Sequence, residues 1–288
     1  MLVAQERRVQ YIFLGGINVT EIVSFEGYKI FSNPDGMGIF SPWKCEDKLV
    51  FAADSDYTTM AISIVKYYLK NNENCCISEV DERINSEILS IATDITLDEK
   101  SDLRLICGDD ASLFLASKIL EFPQDLKPQE IEIADYEMIQ NAWQDELNPL
   151  NISQGAYVSA QQYGESITHR LKLSAQSEEN TIWPPRQLDN TGAMIGEPNS
   201  NLAPRGEVVS WTKLSAAGAP SEFSIRSPIL GGITTVLIEF SEGPKGVFLL
   251  SDDEVNEPKI GDFVNLVVRR IYAQEGIMRY GTKAILQD

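Results

Sequence analysis

Two adjacent thiols, Cys75 and Cys76, and a single histidine, His169, are the side chains of this sequence best suited to nucleophilic chemistry. A thiolate nucleophile needs a lowered pKa, supplied by a helix N-terminus or a nearby imidazolium, together with small neighbours that admit substrate. The pair closes an Asn-rich segment, NNENCC, which reads as a loop and lacks those small neighbours. Cys107 precedes a Gly-Asp turn and reads as a core residue. His169 stands in a helix-like stretch, YGESITHRLKL, with no Cys, Ser or metal partner matched to it, which suits a structural or solvated imidazole. Asp109 and Asp110 are paired acids in a Gly-Asp turn. Asp252, Asp253 and Glu254 form a charge run between strand-like segments and read as a solvated loop. Gly15-Gly16 and Gly36-Met37-Gly38 lack the spacing of a phosphate loop and read as turns. The predicted catalytic and metal sets are therefore empty, with Cys75 or Cys76 as a displaced nucleophile the alternative.

Binding candidates are clearer. Trp183-Pro184-Pro185-Arg186 joins an aromatic ring and two rigid prolines to a planar cation suited to phosphate or carboxylate, although Trp183 can equally plug a barrel end. Trp211, Arg269, Arg270 and Tyr280 complete the set of ligand-binding or partner-binding candidates.

The elements that must position these residues divide the chain. At 288 residues, with 43% hydrophobic and 23% charged side chains, it is long enough for two cores. A net charge of -19 disfavours binding to a nucleic-acid backbone. Four cysteines without framework spacing fit a reducing compartment, and the start MLVAQERRVQ lacks a signal-peptide pattern, so a cytoplasmic protein with no membrane role is expected. Strand-like material at Tyr11 to Leu14 and in EIVSFEGYKIF precedes a helix over SDYTTMAISIVKYYLKN, capped by Asp54 or Ser55. ILSIATDITL reads as a buried strand, and LRLICGDDASLFLASKIL as strand, turn and strand or helix. Residues 171–204 read as a long connector without periodicity. From Arg205 onward, five short apolar segments separated by Gly, Pro, Asp and Asn clusters suit a closed OB-type barrel. The expected fold is α+β and multidomain: an α/β domain over 1–170, the connector, and a five-stranded barrel over 205–288.

The wording of the C-terminal part resembles the acyl-CoA-associated OB-fold family known as domain of unknown function thirty-five. The match covers roughly Ile182 to Leu286 and rests on Trp183-Pro184-Pro185-Arg186, Gly206 to Thr212, Ile260-Gly261-Asp262 and Gly276 to Gly281. The resemblance implies a zinc ribbon ahead of the barrel, but the expected ligand positions fall near Ala175, Glu178, Asp189 and Gly192, none of which is Cys or His. A metal-free remnant is expected.

Residues 27–170 are similar to a shortened N-terminal half of hydroxymethylglutaryl-CoA synthase and its thiolase-superfamily relatives. The order of Asp56 to Ala61, Ala92 to Ile95 and Gly108 to Ser112 carries this, with Trp143 and Tyr157 in the following polar stretch. In that resemblance the nucleophilic Cys belongs in Ser78 to Ser90 (SEVDERINSEILS), where none is present. Together the two resemblances imply a non-catalytic scaffold subunit that needs no cofactor and holds an acyl-CoA thioester in a hetero-oligomer with a thiolase-superfamily enzyme. The alternatives are a Cys-dependent acyltransferase and an OB-fold nucleic-acid binder.

Overall fold

The structure, a computed structural model, describes residues 22–123, 126–151, 159–177 and 180–287. Tyr11 to Leu14, Gly15-Gly16, Tyr157 and Glu178 lie outside the described residues.

The chain opens as a meander. Ile22–Phe25 (β1), Tyr28–Asn33 (β2) and Gly36–Phe40 (β3) are antiparallel neighbours. The turn between β1 and β2 is Glu26-Gly27, with φ of 50° and 81°, the paired positive values that fit a two-residue hairpin to strand twist. Trp43–Cys45 (β4) and Lys48–Val50 (β5) make a side hairpin. Helix α1, Tyr57–Leu69, follows, and its cap is Asp56 rather than the expected Asp54 or Ser55. The Asp56 carboxylate accepts from the Thr59 amide while the Thr59 hydroxyl accepts from the Asp56 amide, a reciprocal capping box. Asp54 is unavailable because its carboxylate is bound to Lys283. Residues Thr58 to Val65 are all buried, since α1 is covered by β2 and β3 and also by the C-terminal barrel.

The next stretch differs from its sequence reading. Cys75–Ile77 (β6) is a strand, not a loop, and is followed by Glu79–Val80 (β7). ILSIATDITL is not one strand but helix α2, Ser86–Ala92, and then Ile95–Leu97 (β8). The Asn85 side chain accepts from the Ile88 amide and starts that helix, and Ile88, Leu89 and Ala92 then fall on one buried face. β6 and β8 pair in parallel. Arg104–Cys107 (β9) and Ser112–Ala116 (β10) form a hairpin across Gly108 to Ala111, so the second of these segments is a strand and not a helix, and the main sheet runs β1-β2-β3-β10-β9-β7. Gln129–Glu130 (β11) adds to β4, and helices α3, Ile133–Leu147, and α4, Ala160–Lys172, close the first part.

The connector is not structureless. Ser174–Ser177 (β12), Thr181–Ile182 (β13) and Ser200–Asn201 (β14) form a small sheet with β12 in the centre. The Gln176 side chain braces it, donating to the carbonyls of Arg186 and Gly196 and accepting from the Arg186 amide. The Trp183-Pro184 bond is cis.

Arg205–Leu214 (β15), Ile233–Glu239 (β16), Lys245–Leu250 (β17), Phe263–Gln274 (β18) and Ile277–Leu286 (β19) close into a barrel in the order β15-β16-β17-β19-β18. Every neighbouring pair is antiparallel except β17 with β19, an arrangement that fits an OB-like fold. Bulges at Val208/Ser210 and Arg270/Tyr272 supply the bending that closure requires. Gly206 sits where a Cβ would stand 2.9 Å from the Glu239 carbonyl, so β15 and β16 close there only around glycine. The segment between β15 and β16, expected as a simple turn, carries a further short helix, α5, Arg226–Ile229. The core of the α/β part includes Val268 and Tyr280 from the barrel, so the two parts share buried apolar surface.

Candidate functional site

Two places concentrate unusual chemistry. The first is the seam between the α/β part and the barrel. The Asp54 carboxylate, fully buried after β5, lies 2.8 Å from Lys283 Nζ on β19 and 3.4 Å from Arg269 Nε on β18, and accepts from the Ser251 hydroxyl and the Asp252 amide. Lys283 also reaches Asp252 at 2.5 Å. Asp252 pairs with Arg226 of α5, whose Nε donates to Glu146 of α3 at 2.8 Å. The Arg226 guanidinium lies 3.6 Å from the Trp143 ring centroid, and that of Arg270 stands 4.4 Å from the same ring. Arg269 donates to the Glu26 carbonyl in the β1–β2 turn, directly over Gly27, where a Cβ would come within 2.8 Å of its Nη2.

Electrostatics follow from this packing. Burial alone would raise the Asp54 carboxyl, but Lys283 and Arg269 hold it down to about 2. Burial raises Asp253, and the neighbouring Asp54 charge adds to the effect. Burial pushes Glu146 up to about 7 against the opposing pull of Arg226. Arg226 is shared with Asp252, and among the described residues Glu146 Oε2 has no hydrogen-bond partner. Buried networks of this kind give little net stability, but removing one member leaves a charge stranded.

The seam corrects three expectations. Asp252, Asp253 and Glu254 are not a freely solvated run, because the first two face Asp54, Arg226 and Lys283 across the seam. Arg269 and Arg270 are buried and engaged with Asp54, Glu26, Ala53 and Trp143, so neither guanidinium faces solvent where a CoA phosphate would meet it. Tyr280 is also buried; its hydroxyl donates to Asp56 at 2.7 Å, and burial followed by the Asp56 charge drives its pKa well above the ordinary phenol range.

The second place is the small sheet around the Trp-Pro-Pro-Arg segment. Trp183 is half-buried, stacked on Phe248 with centroids 5.4 Å apart and set edge-on to Phe240 at 5.5 Å. It packs against the barrel core together with Trp211. Pro184 and Arg186 are exposed, Pro185 is partly covered, and Arg186 Nη1 donates to Asn190. Asp189, where the resemblance would place a ribbon ligand, closes the following turn by accepting from the Thr191 amide and hydroxyl and the Ala193 amide. Leu188 and Met194 face each other across that turn and are 48% and 80% exposed, an apolar tip beside Arg186. The eight candidate residues therefore do not form one surface. Trp183 and Trp211 pack against the barrel core, Tyr280 lies in the α/β core, and Arg269 and Arg270 lie in the seam.

Burial disfavours the thiolate form at two of the cysteines. Burial lifts Cys75 to about 11, with Cys76 adding to the effect, and lifts Cys107 to about 12, with Asp81 adding. Cys76 is half-buried on the same strand. Among the described residues no group of three His, Cys, Asp or Glu is placed to hold a metal ion, and no helix is long and apolar enough to cross a membrane.

No protein-family model matches the chain, and no curated protein matches it. Among solved structures it is similar to one titled "Ltp2-ChsH2(DUF35) aldolase", with 17% identity over 46% of this chain and 98% of that chain and a TM-score of 0.31.

Sequence reasoning missed Asp54, Glu146, Arg226 and Lys283 as a set. The available signal was charge inside apolar strand wording, Arg269-Arg270 in VNLVVRRIY and Lys283 in GTKAIL, because a charge in a buried strand requires a partner. Nothing in the wording ties Lys283 to a partner as distant as Asp54.

Proposed function

We propose that this protein is a non-catalytic accessory subunit of an acyl-CoA condensing or thiolytic assembly, with a thiolase-type first part and a barrel that help to hold the thioester while a partner enzyme supplies the nucleophile. The observation that carries this reading is the burial of Cys75 and Cys107, which pushes both thiols above their ordinary value, while Cys76 is half-buried on the same strand as Cys75. A thiolate nucleophile requires the opposite shift. The residues on which the resemblance to the acyl-CoA-associated family rests also have coherent places: Gly206 to Thr212 on β15, Asp262 at the entry to β18, and Gly276 to Gly281 on the β18–β19 hairpin. Docking is assigned to the small sheet, through exposed Arg186 and the Leu188/Met194 tip, with Trp183 as the rigid support behind them and Tyr280 excluded by burial.

The test is co-purification from the native source, with the bound protein identified. A thiolase-superfamily enzyme retained by the native chain, and released by the pair Arg186→Glu and Met194→Asp while folding is unchanged, supports the reading. Retention of that enzyme at undiminished affinity removes the assigned surface, and a lone monomer at cellular concentration removes the assembly.

A further inference from the structure

A groove of about 430 Å³ runs between α3 and α5, away from the Trp183 to Arg186 segment in the chain. Its α3 wall is the stripe Ala134, Glu137, Met138, Asn141 and Asp145, and Ile225 and Ile229 face it from the other side. We propose that this groove docks a basic amphipathic helix of a partner protein. The inference goes beyond the reading above, because it names a separate surface and holds whichever enzyme the chain accompanies.

Three observations converge on that occupant. First, the groove joins the apolar side chains of Ala134, Met138, Ala142, Ile225 and Ile229 to three polar ones and is uncovered among the described residues: of the fifteen residues of α3 only Ala142, Trp143 and Glu146 are buried, and Met138 is 45% exposed. Second, the spacing of the stripe matches a helical ridge. Positions 134, 137, 138, 141 and 145 extend roughly 16 Å at about 1.5 Å per residue, enough for the apolar anchors of two to three turns of a partner helix. Third, both charged residues lining the groove are acidic. Glu137 and Asp145 are eight positions apart, roughly 12 Å along the axis, so the complementary helix carries two cations about two turns apart beside its apolar stripe.

The groove is also preformed. Arg226 at the start of α5 pairs with Glu146 of α3 and stacks on Trp143 of the same helix, which fixes the two walls relative to each other. A helix that docks there meets walls that need no ordering, which lowers the entropic cost of association.

The experiment uses the full chain and a fluorescent synthetic peptide of about 15 residues, with leucines on one helical stripe and two lysines about two turns apart. Binding is read by fluorescence anisotropy, against a scrambled peptide of the same composition and a peptide with glutamates in place of the lysines. The expected result is saturable binding of the patterned lysine peptide that falls by about tenfold or more in Met138→Asp. The pair Glu137→Lys and Asp145→Lys should lose the lysine peptide and gain the glutamate one. Both variants change exposed side chains, so unchanged circular dichroism is expected and keeps the comparison valid. Equal binding of the scrambled peptide, or binding indifferent to Met138→Asp, overturns the proposal. A gain in affinity when residues 1–21 are deleted overturns it in favour of the chain's own N-terminal segment, and a self-association abolished by Met138→Asp overturns it in favour of a second copy.

Discussion

Asp54 and Lys283 lie 2.8 Å apart across 229 residues of sequence, in a seam where both side chains are buried. Each is buried in the fold because it is paired there, Asp54 with Lys283 and Arg269, and Lys283 with Asp54 and Asp252. Lys283→Met leaves Asp54 and Asp252 short of a cation and should destabilise the protein by about 3–5 kcal/mol, read from urea unfolding. Adding Asp54→Leu should recover part of that loss. Single and double variants of equal stability would show that the pair is not a coupled unit.

Glu146 gives the seam a pH dependence near neutrality. Its folded value of about 7 exceeds the ordinary 4.5, so the native state holds its proton more tightly than the unfolded chain does. The resulting stabilisation is fully present below about 4.5 and is lost as pH rises through about 7. Asp54 acts in the opposite sense: its value is depressed from 3.8 to about 2, so its contribution is present above 3.8 and is lost as pH falls through about 2. Thermal unfolding of Glu146→Gln from pH 5 to 8 should show a flatter profile than the native protein. An unchanged profile would place the neutral-pH titration elsewhere.

Trp183 and Arg186 should separate cleanly despite being three positions apart. Trp183→Ala removes a ring stacked on Phe248 and Phe240 and should cost about 2–4 kcal/mol. Arg186→Ala alters an exposed side chain and should stay within about 0.5 kcal/mol. Chemical denaturation of the two variants checks this, and a Trp183 variant of native stability would mean that the stack contributes no packing energy.

The barrel was legible because its signals are local: apolar segments of strand length, broken at turn-sized intervals, from Arg205 onward. Helix α1 was legible for the same reason. The helix over Ser86 to Ala92 was misread because Ile88, Leu89, Ile91 and Ala92 form a short apolar run that suits a buried strand and a buried helix equally, and the Asn85 cap decides between them. The connector was misread because its order comes from Gln176 reaching Arg186 and Gly196, contacts that leave no periodic trace. Side-chain type alone does not separate exposed Arg186 from buried Arg269.

Thiol accessibility should sort the cysteines. Cys76 is half-buried, whereas Cys45, Cys75 and Cys107 are buried. A thiol reagent at neutral pH should therefore modify Cys76 first in the native protein and reach the other three only on unfolding. Prompt modification of Cys75 would contradict the burial described here.

Thioester turnover by the purified full chain tests the central claim most directly. With acetyl-CoA and a longer acyl-CoA as substrates, free CoA release should stay at the buffer rate for the native chain, for Cys75→Ala and for Cys76→Ala alike. Release above that rate, abolished by either substitution, would show that the chain carries its own nucleophile and is an acyltransferase in its own right.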